Sequence, residues 1–308
     1  MRVYTVHALR ILAPLALAAA AAACGDPVVG PAADSYDVGT TPAAARAGRQ
    51  SVVLVGAGDI ADCASSGDEA TAAILDTIAG TVFTAGDNAY PNGSPLDFAT
   101  CYEPSWGRHR ARTRPAIGNH EYLTPGAAGY FAYFAERSAP PFGYYSYDAG
   151  AWHVVVLNSM LAYVNDPLQE SWLRADLAAH RARCTLAYFH HPRFSSGNHG
   201  SQPMMRRLWR ILYNAGADVV ISGHDHDYER FAPQTPDGVA DPRRGIREFV
   251  VGTGGASLYE FREPIPNSEV RYNASFGVLK LTLDRRGYSW RFIPTEGTFT
   301  DAGSDRCH

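Results

Sequence analysis

The sequence predicts a layered α/β fold with mixed β-sheets. In the first two thirds of the chain, short apolar runs alternate with segments of helical spacing, which is typical of sheets flanked by helices. In the last third, apolar runs follow one another with only turns between them, which predicts antiparallel strands. A hydrophobic fraction of 46% in 308 residues is sufficient for a large core.

Each predicted strand is a short apolar run, often β-branched, that stops at turn-forming or polar residues. Residues 144–159 are typical of a hairpin with its turn at 148–150, and a turn at 284–287 joins the last two strands. Further strands are predicted within residues 51–59, 81–88, 113–121, 185–190, 217–226, 247–255, 276–283 and 288–293.

Helical segments separate the earlier strands. Residues 69–79 have helical spacing, and a second helix is predicted near 204–213. Residues 167–180 predict an amphipathic helix. Its apolar face carries Leu168, Trp172, Leu173 and Leu177.

The first 24 residues are expected to be a signal peptide rather than part of the fold. Arg2 and Arg10 give a basic start, and residues 11–23 form an apolar run that is too short to span a membrane. The chain is therefore expected to be exported, as an envelope lipoprotein or a secreted protein.

Two ways of processing this signal are open. We favour the lipoprotein type, which would make Cys24 a lipid anchor and the only membrane contact. Cleavage after Ala23 is the alternative, because Ala21 and Ala23 form an A-x-A site. Residues 25–50, rich in Ala, Gly and Pro, predict a flexible tether, and residues 51–308 a single domain.

Polar side chains follow five of the predicted strands where each strand ends, usually just after a glycine. Ligands of α/β sheets bind at the C-terminal ends of strands, and glycine allows a sharp turn with a close approach. We therefore expect these side chains to converge on one site. They are Asp59, Asp87, Asn119, His190, His224 and His226.

Such a cluster predicts bound metal ions. Buried carboxylates without a cation repel each other and lose their solvation. The mixture of oxygen and nitrogen donors favours Fe, Zn or Mn over Ca²⁺, and there are too many donors for one ion. Asp87 is the natural bridge between two metals, because Tyr90 follows it as another candidate ligand. The net charge of −4 gives no reason to expect nucleic acid as a partner.

Five ordered motifs resemble those of the metallophosphoesterases, the calcineurin-like phosphoesterase superfamily, and in particular its purple acid phosphatase branch. The resemblance implies an αββα sandwich of two mixed β-sheets flanked by helices, with a dinuclear metal site at strand C-terminal ends. Many members have a histidine two residues after the first aspartate, where this chain has Ala61. The motifs are GD at 58–59, GDNAY at 86–90, GNHE at 118–121, HHP at 190–192 and GHDHDYER at 223–230.

The resemblance also implies a role for each residue. His120 and His199, the latter in a flexible Gly/Ser loop, would face the phosphate as catalytic residues. One metal is expected to be Fe(III), because a phenolate ligand favours this ion. The other would be a divalent Fe, Zn or Mn. The implied ligands of Fe(III) are Asp59, Asp87, Tyr90 and His226. Those of the divalent ion are Asp87, Asn119, His190 and His224.

The implied function is a phosphatase, a metal-dependent phosphoric ester hydrolase acting on monoesters of small molecules or phosphoproteins. Two cations would lower the pKa of bound water, so that hydroxide attacks phosphorus directly. One alternative is a phosphodiesterase or nucleotide-specific phosphohydrolase on the same site. Another is a non-catalytic binding lipoprotein, against which the intact ligand set argues.

Four cysteines follow Cys24, and an even number in an exported chain predicts two disulfides. Three pairings are possible. We favour Cys63–Cys101, which would join two loops near the expected site, and Cys184–Cys307, which would fix the C-terminal tail.

Overall fold

A computed structural model describes residues 51–180 and 182–308. The predicted signal peptide, the Cys24 anchor site and the predicted tether lie outside the described residues. No helix within the described ranges is long and apolar enough to cross a bilayer.

The first of two mixed sheets has six strands. They are β1 (Val52–Ala57), β2 (Thr81–Ala85), β3 (Thr113–Ala116), β11 (Gly277–Asp284), β12 (Gly287–Pro294) and β13 (Ala302–Arg306). Their order is β13-β12-β11-β1-β2-β3. Strands β1, β2 and β3 are parallel, whereas β11, β12 and β13 add to β1 as an antiparallel meander.

The second sheet has seven strands. They are β4 (Tyr145–Ala149), β5 (Trp152–Val156), β6 (Cys184–Tyr188), β7 (Val219–Ser222), β8 (Tyr228–Phe231), β9 (Arg247–Val251) and β10 (Ser268–Tyr272). Their order is β10-β8-β9-β7-β6-β5-β4. Strands β5, β6, β7 and β9 are parallel. The predicted fold class, two mixed sheets with helices, is thus confirmed.

Helices connect the strands and cover the sheets. The α-helices are α1 (Gly67–Asp76), α2 (Pro95–Asp97), α3 (Ala128–Phe134), α4 (Ser159–Tyr163), α5 (Pro167–Ala179) and α6 (Arg206–Ala215). Short 3₁₀ turns lie at Trp106–Arg112, His120–Leu123, Pro125–Ala127, Ala135–Ser138 and Pro203–Met205, and a π turn at Phe98–Tyr102.

Two apolar clusters form the core. The larger cluster contains buried residues of both sheets, such as Phe83 and Leu186, together with Leu75 of α1. The smaller cluster packs the second sheet against α5 and α6 through residues such as Leu173 and Trp209. The loops after the strand ends therefore start from strands that are packed in the apolar core.

Helix α5 begins where the sequence predicts, but the residue buried in its first turn is not the predicted one. Asp166 caps the helix by accepting hydrogen bonds from the N–H groups of Leu168 and Gln169. Leu168 is 61% exposed, so its predicted place on the apolar face is wrong. Gln169 is buried instead, since its amide makes two hydrogen bonds to the backbone of Asn158.

Both predicted disulfides are present. Cys63 and Cys101 have Cα atoms 4.9 Å apart and join the loop after β1 to the π turn. Cys184 starts β6 and Cys307 follows β13, with Cα atoms 5.4 Å apart, so this bond connects the two sheets. Closing a segment this long is expected to stabilise the fold by about 4–5 kcal/mol, because it lowers the conformational entropy of the unfolded chain.

Candidate metal centre

The predicted site residues lie in the loops that follow five strand ends of the two sheets. Asp59 follows β1, Asp87 follows β2, and Asn119 follows β3. In the second sheet, His190 follows β6, and the pair His224 and His226 lies between β7 and β8. Contacts link all six residues to one another or through Tyr90 and neighbouring histidine rings.

The backbone at this site takes conformations that are unfavourable for ordinary side chains. Asp59, Asp87 and His224 have positive φ angles of 59°, 46° and 69°. Each such residue costs about 1–3 kcal/mol, which a site must offset elsewhere. A Cβ on Gly118 would lie 2.1 Å from Asp87 Oδ1, and one on Gly223 would lie 2.4 Å from Asp59 Oδ2. The predicted use of glycine for close approach is therefore correct at both positions.

One group of donors surrounds His190. Its Nε2 lies 2.9 Å from Asn119 Oδ1 and 3.1 Å from Asp87 Oδ2. Its Nδ1 lies 2.9 Å from the carbonyl oxygen of Ala85, which can only accept, so Nδ1 carries a proton. Its Nε2 faces two further acceptors, Asn119 Oδ1 and Asp87 Oδ2. A cation at this point satisfies all three.

The same groups are strongly coupled electrostatically. Burial alone would lower the pKa of His190, but the negative charges of Asp87 and Asp59 raise it to about 10. Burial would raise the pKa of Asp87, but the charges of His190 and His120 hold it below its ordinary value. The carboxylate of Asp87 is therefore ionised. A proton on Nε2 is what a metal ion would displace.

A second group of donors surrounds the Tyr90 hydroxyl. It donates to Asp59 Oδ1 at 3.0 Å, and lies 3.2 Å from His226 Nε2 and 3.3 Å from Asp87 Oδ2. Burial and the charges of Asp59 and Asp87 raise the pKa of Tyr90 well above its ordinary value. The phenol is thus neutral without a cation. The side chain of Ala61 has no atom that could bind a metal ion. The Tyr90 oxygen contacts the two carboxylates and His226 instead.

His120 and His199 line the open side of the donor cluster. Their side chains are 30% and 39% exposed, whereas the side chain of His190 is fully buried. The His120 ring lies 4.3 Å from the Tyr90 ring, and the His199 ring 4.4 Å from the His224 ring. Both imidazoles can therefore contact a ligand that approaches the cluster from solvent.

The family model of the calcineurin-like phosphoesterases matches residues 43–228. The chain belongs to this family. It is 33% identical over 142 residues to purple acid phosphatase 18 of Arabidopsis thaliana, covering 43% of this chain and 32% of the relative. It is 35% identical over 159 residues to purple acid phosphatase 21 of the same plant, covering 47% and 36%.

The fold is also that of a solved purple acid phosphatase. The structure of PPD1 from yellow lupin (Lupinus luteus) superposes with a TM-score of 0.68 at 22% identity, covering 84% of this chain and 54% of that one. The predicted resemblance to this branch is confirmed. The chain spans about a third of the length of the two curated relatives named above.

The loop that carries His199 is held by carboxylates beneath it. Asp225 Oδ1 accepts from the His199 N–H at 2.6 Å and lies 3.2 Å from its Nδ1, and Oδ2 accepts from Gly200 N–H. Glu229 accepts from Ser196 N–H at 2.7 Å and Oγ at 2.6 Å. The prediction of a flexible loop missed these anchors. Asp225 and Glu229 of the motif GHDHDYER were the signal in the sequence that could have indicated such anchors.

The partners of the histidine rings were hard to predict. The acceptors of the His190 and His226 rings are a backbone carbonyl and a serine hydroxyl rather than a carboxylate within the motifs. His226 Nδ1 lies 2.8 Å from Ser257 Oγ, and its ring stacks on Tyr259 at 4.1 Å. Glu121 instead accepts from backbone N–H groups and links the loops after β2 and β3. Burial and the charge of Asp87 raise the pKa of Glu121 to about 7.

His191 lies next to the cluster and was predicted neither as a metal ligand nor as a catalytic residue. Its Nδ1 lies 2.8 Å from Ser159 Oγ at the start of α4. Its ring lies 4.2 Å from that of His224, and burial and the charge of His190 lower its pKa well below the ordinary value. A neutral His191 packs beside the donors and orients their loop.

Proposed function

We propose that this chain is an exported phosphatase with two metal ions that hydrolyses phosphate monoesters. The observation that carries the proposal is the position of Asp87 between the two donor groups. Its Oδ2 lies 3.1 Å from His190 Nε2 and 3.3 Å from the Tyr90 hydroxyl. A carboxylate in this position is suited to bridge two cations.

The proposed metals follow from the donor types. A phenolate is a hard anionic ligand, which favours Fe(III) at the Tyr90 group. The group around His190 has fewer anionic donors and suits a divalent Fe, Zn or Mn. The Fe(III) ligands would be Asp59, Asp87, Tyr90 and His226. The divalent ion would be held by Asp87, Asn119, His190 and His224.

The protein's own residues prepare the site for a phosphate ester. The two metal ions, when bound, supply an activated water as nucleophile and neutralise charge on the phosphate. Asp87 Oδ1 accepts from the His120 N–H at 2.8 Å, which fixes the bridging carboxylate. His120 and His199 face the open side, where their imidazoles can stabilise the phosphate oxygens and protonate the leaving oxygen. The hydrogen bond that the His199 ring makes to the Asp225 carboxylate raises the pKa of His199, which favours the protonated form.

Export rests on the N-terminal sequence and on the disulfides. The signal-type segment supports secretion, and lipidation of Cys24 remains our preferred form of anchoring. Two disulfides are typical of chains that fold in an oxidising compartment.

The test compares p-nitrophenyl phosphate with bis-p-nitrophenyl phosphate as substrates of the purified, metal-loaded chain. We expect kcat/KM for the monoester to exceed that for the diester by at least about tenfold, or 1.4 kcal/mol of transition-state stabilisation. Loss of a general acid lowers kcat by about 10²–10⁴-fold, so a His120→Ala or His199→Ala variant should show such a loss. A diester preference would indicate a phosphodiesterase. No turnover with two metals bound would indicate a binding protein.

A further inference from the structure

A cavity of about 410 Å³ lies between α5 and α6, and none of the proposed metal ligands lines it. Its charge contrasts with that of the whole chain, which is −4. Four guanidinium groups and one carboxylate, that of Glu170, line the cavity, so its walls carry a net charge of 4 − 1 = +3. The arginines are Arg174 on α5 and Arg206, Arg207 and Arg210 on α6.

The carboxylates nearby do not neutralise this charge. Arg207 Nε lies 2.7 Å from Glu170 Oε1. Arg206 and Arg210 share Asp237 as a partner. Three guanidinium groups thus have two carboxylates between them.

Arg174 adds a fourth positive charge to these three guanidinium groups. Among residues 51–180 and 182–308, none makes a hydrogen bond or ion pair with its guanidinium group. A guanidinium presents five donors in a planar fork that matches two oxygens of a phosphate group. The side chains of Arg206, Arg207 and Arg210 are 45%, 61% and 48% exposed, so a ligand reaches them from solvent.

The cavity wall continues two segments that flank the metal centre. Asn165 lines the cavity two residues after α4, whose Tyr163 ring lies 5.2 Å from the His191 ring. Pro203 lines it four residues after His199. The Tyr163 hydroxyl donates to Gln202 Oε1 at 3.4 Å, which ties the two segments together.

We propose that this arginine cavity is a second anion site that binds a phosphate group. The group comes either from free inorganic phosphate or from a second phosphoryl group of a substrate whose first phosphoryl group is at the metal centre. Only the second source rests on the proposed function. The uncompensated guanidinium groups can bind phosphate by donating charge-assisted hydrogen bonds to its oxygens.

The first experiment titrates inorganic phosphate into the metal-loaded full chain by calorimetry. Wild type should bind two equivalents, and an Arg174→Gln/Arg207→Gln variant one. An Arg285→Gln/Arg291→Gln variant removes the same charge from exposed positions outside the cavity and should bind two. Arg174→Gln alone should weaken the second equivalent without breaking the Arg207–Glu170 pair. Equal binding by wild type and both cavity variants would overturn the proposal.

The second experiment identifies the source of the phosphate group. The cavity variants should hydrolyse p-nitrophenyl phosphate as wild type does. If the cavity takes a second phosphoryl group, their KM for tripolyphosphate should rise at least about tenfold. An unchanged KM together with the loss of the second equivalent would assign the cavity to free phosphate. The calorimetric result is independent of turnover, so failure of the proposed function and failure of this site give different results.

Discussion

Replacement of Asp87 with asparagine is expected to lower kcat/KM for p-nitrophenyl phosphate by at least about 10³-fold. The reason is that the carboxylate would hold the metal ions, whose stabilisation of charge in the transition state is worth several kcal/mol. The amide keeps the shape of the side chain but loses the negative charge that would hold two cations. The variant should also purify with fewer metal ions, which elemental analysis measures beside the kinetics.

Asp284→Asn is the matched control for this variant. Asp284 is the exposed last residue of β11, next to the turn to β12, and its substitution removes the same charge far along the sequence from the donors. The control should keep wild-type kinetics and metal content. An Asp87→Asn protein with two metals and activity within tenfold of wild type would contradict the bridging role.

Tyr90→Phe is expected to abolish a visible charge-transfer absorption band of the iron-loaded protein. A phenolate bound to Fe(III) absorbs visible light, and phenylalanine cannot bind the metal. The substitution keeps a ring of the same size against His120, so the local packing is retained. The measurement is an absorption spectrum of the wild type and the variant after identical loading with iron.

Tyr163→Phe is the control for the loss of a phenol. Its hydroxyl bonds to Gln202 and lies outside the two donor groups. This variant should keep the band. Persistence of the band in Tyr90→Phe, or its absence in wild type loaded with Fe(III), would rule out the phenolate ligand.

The sequence predicted the central strands because each of them is an apolar run, often rich in β-branched residues. It did not predict β8, β10 and β13. Strand β13, with the sequence AGSDR, contains no β-branched residue and pairs only at the edge of its sheet. Such strands form through their neighbours rather than through their own propensity.

The candidate site shows the same division between local and tertiary information. Donors such as Asp59 and His190 were predictable because each ends an apolar run. Their supports were not, because the acceptor for His190 is a backbone carbonyl and that for His226 is Ser257, in a segment distant in sequence. The arginine cavity needs Arg174 of one helix beside the arginines of another, which sequence spacing does not show.

The central claim is that two donor groups that share Asp87 hold two metal ions. The most direct test is an anomalous difference map from crystals of the metal-loaded protein. We expect two peaks, one in contact with Tyr90 and His226 and the other with Asn119 and His190, with Asp87 between them. A single peak, or two peaks of which neither contacts Asp87, would contradict it.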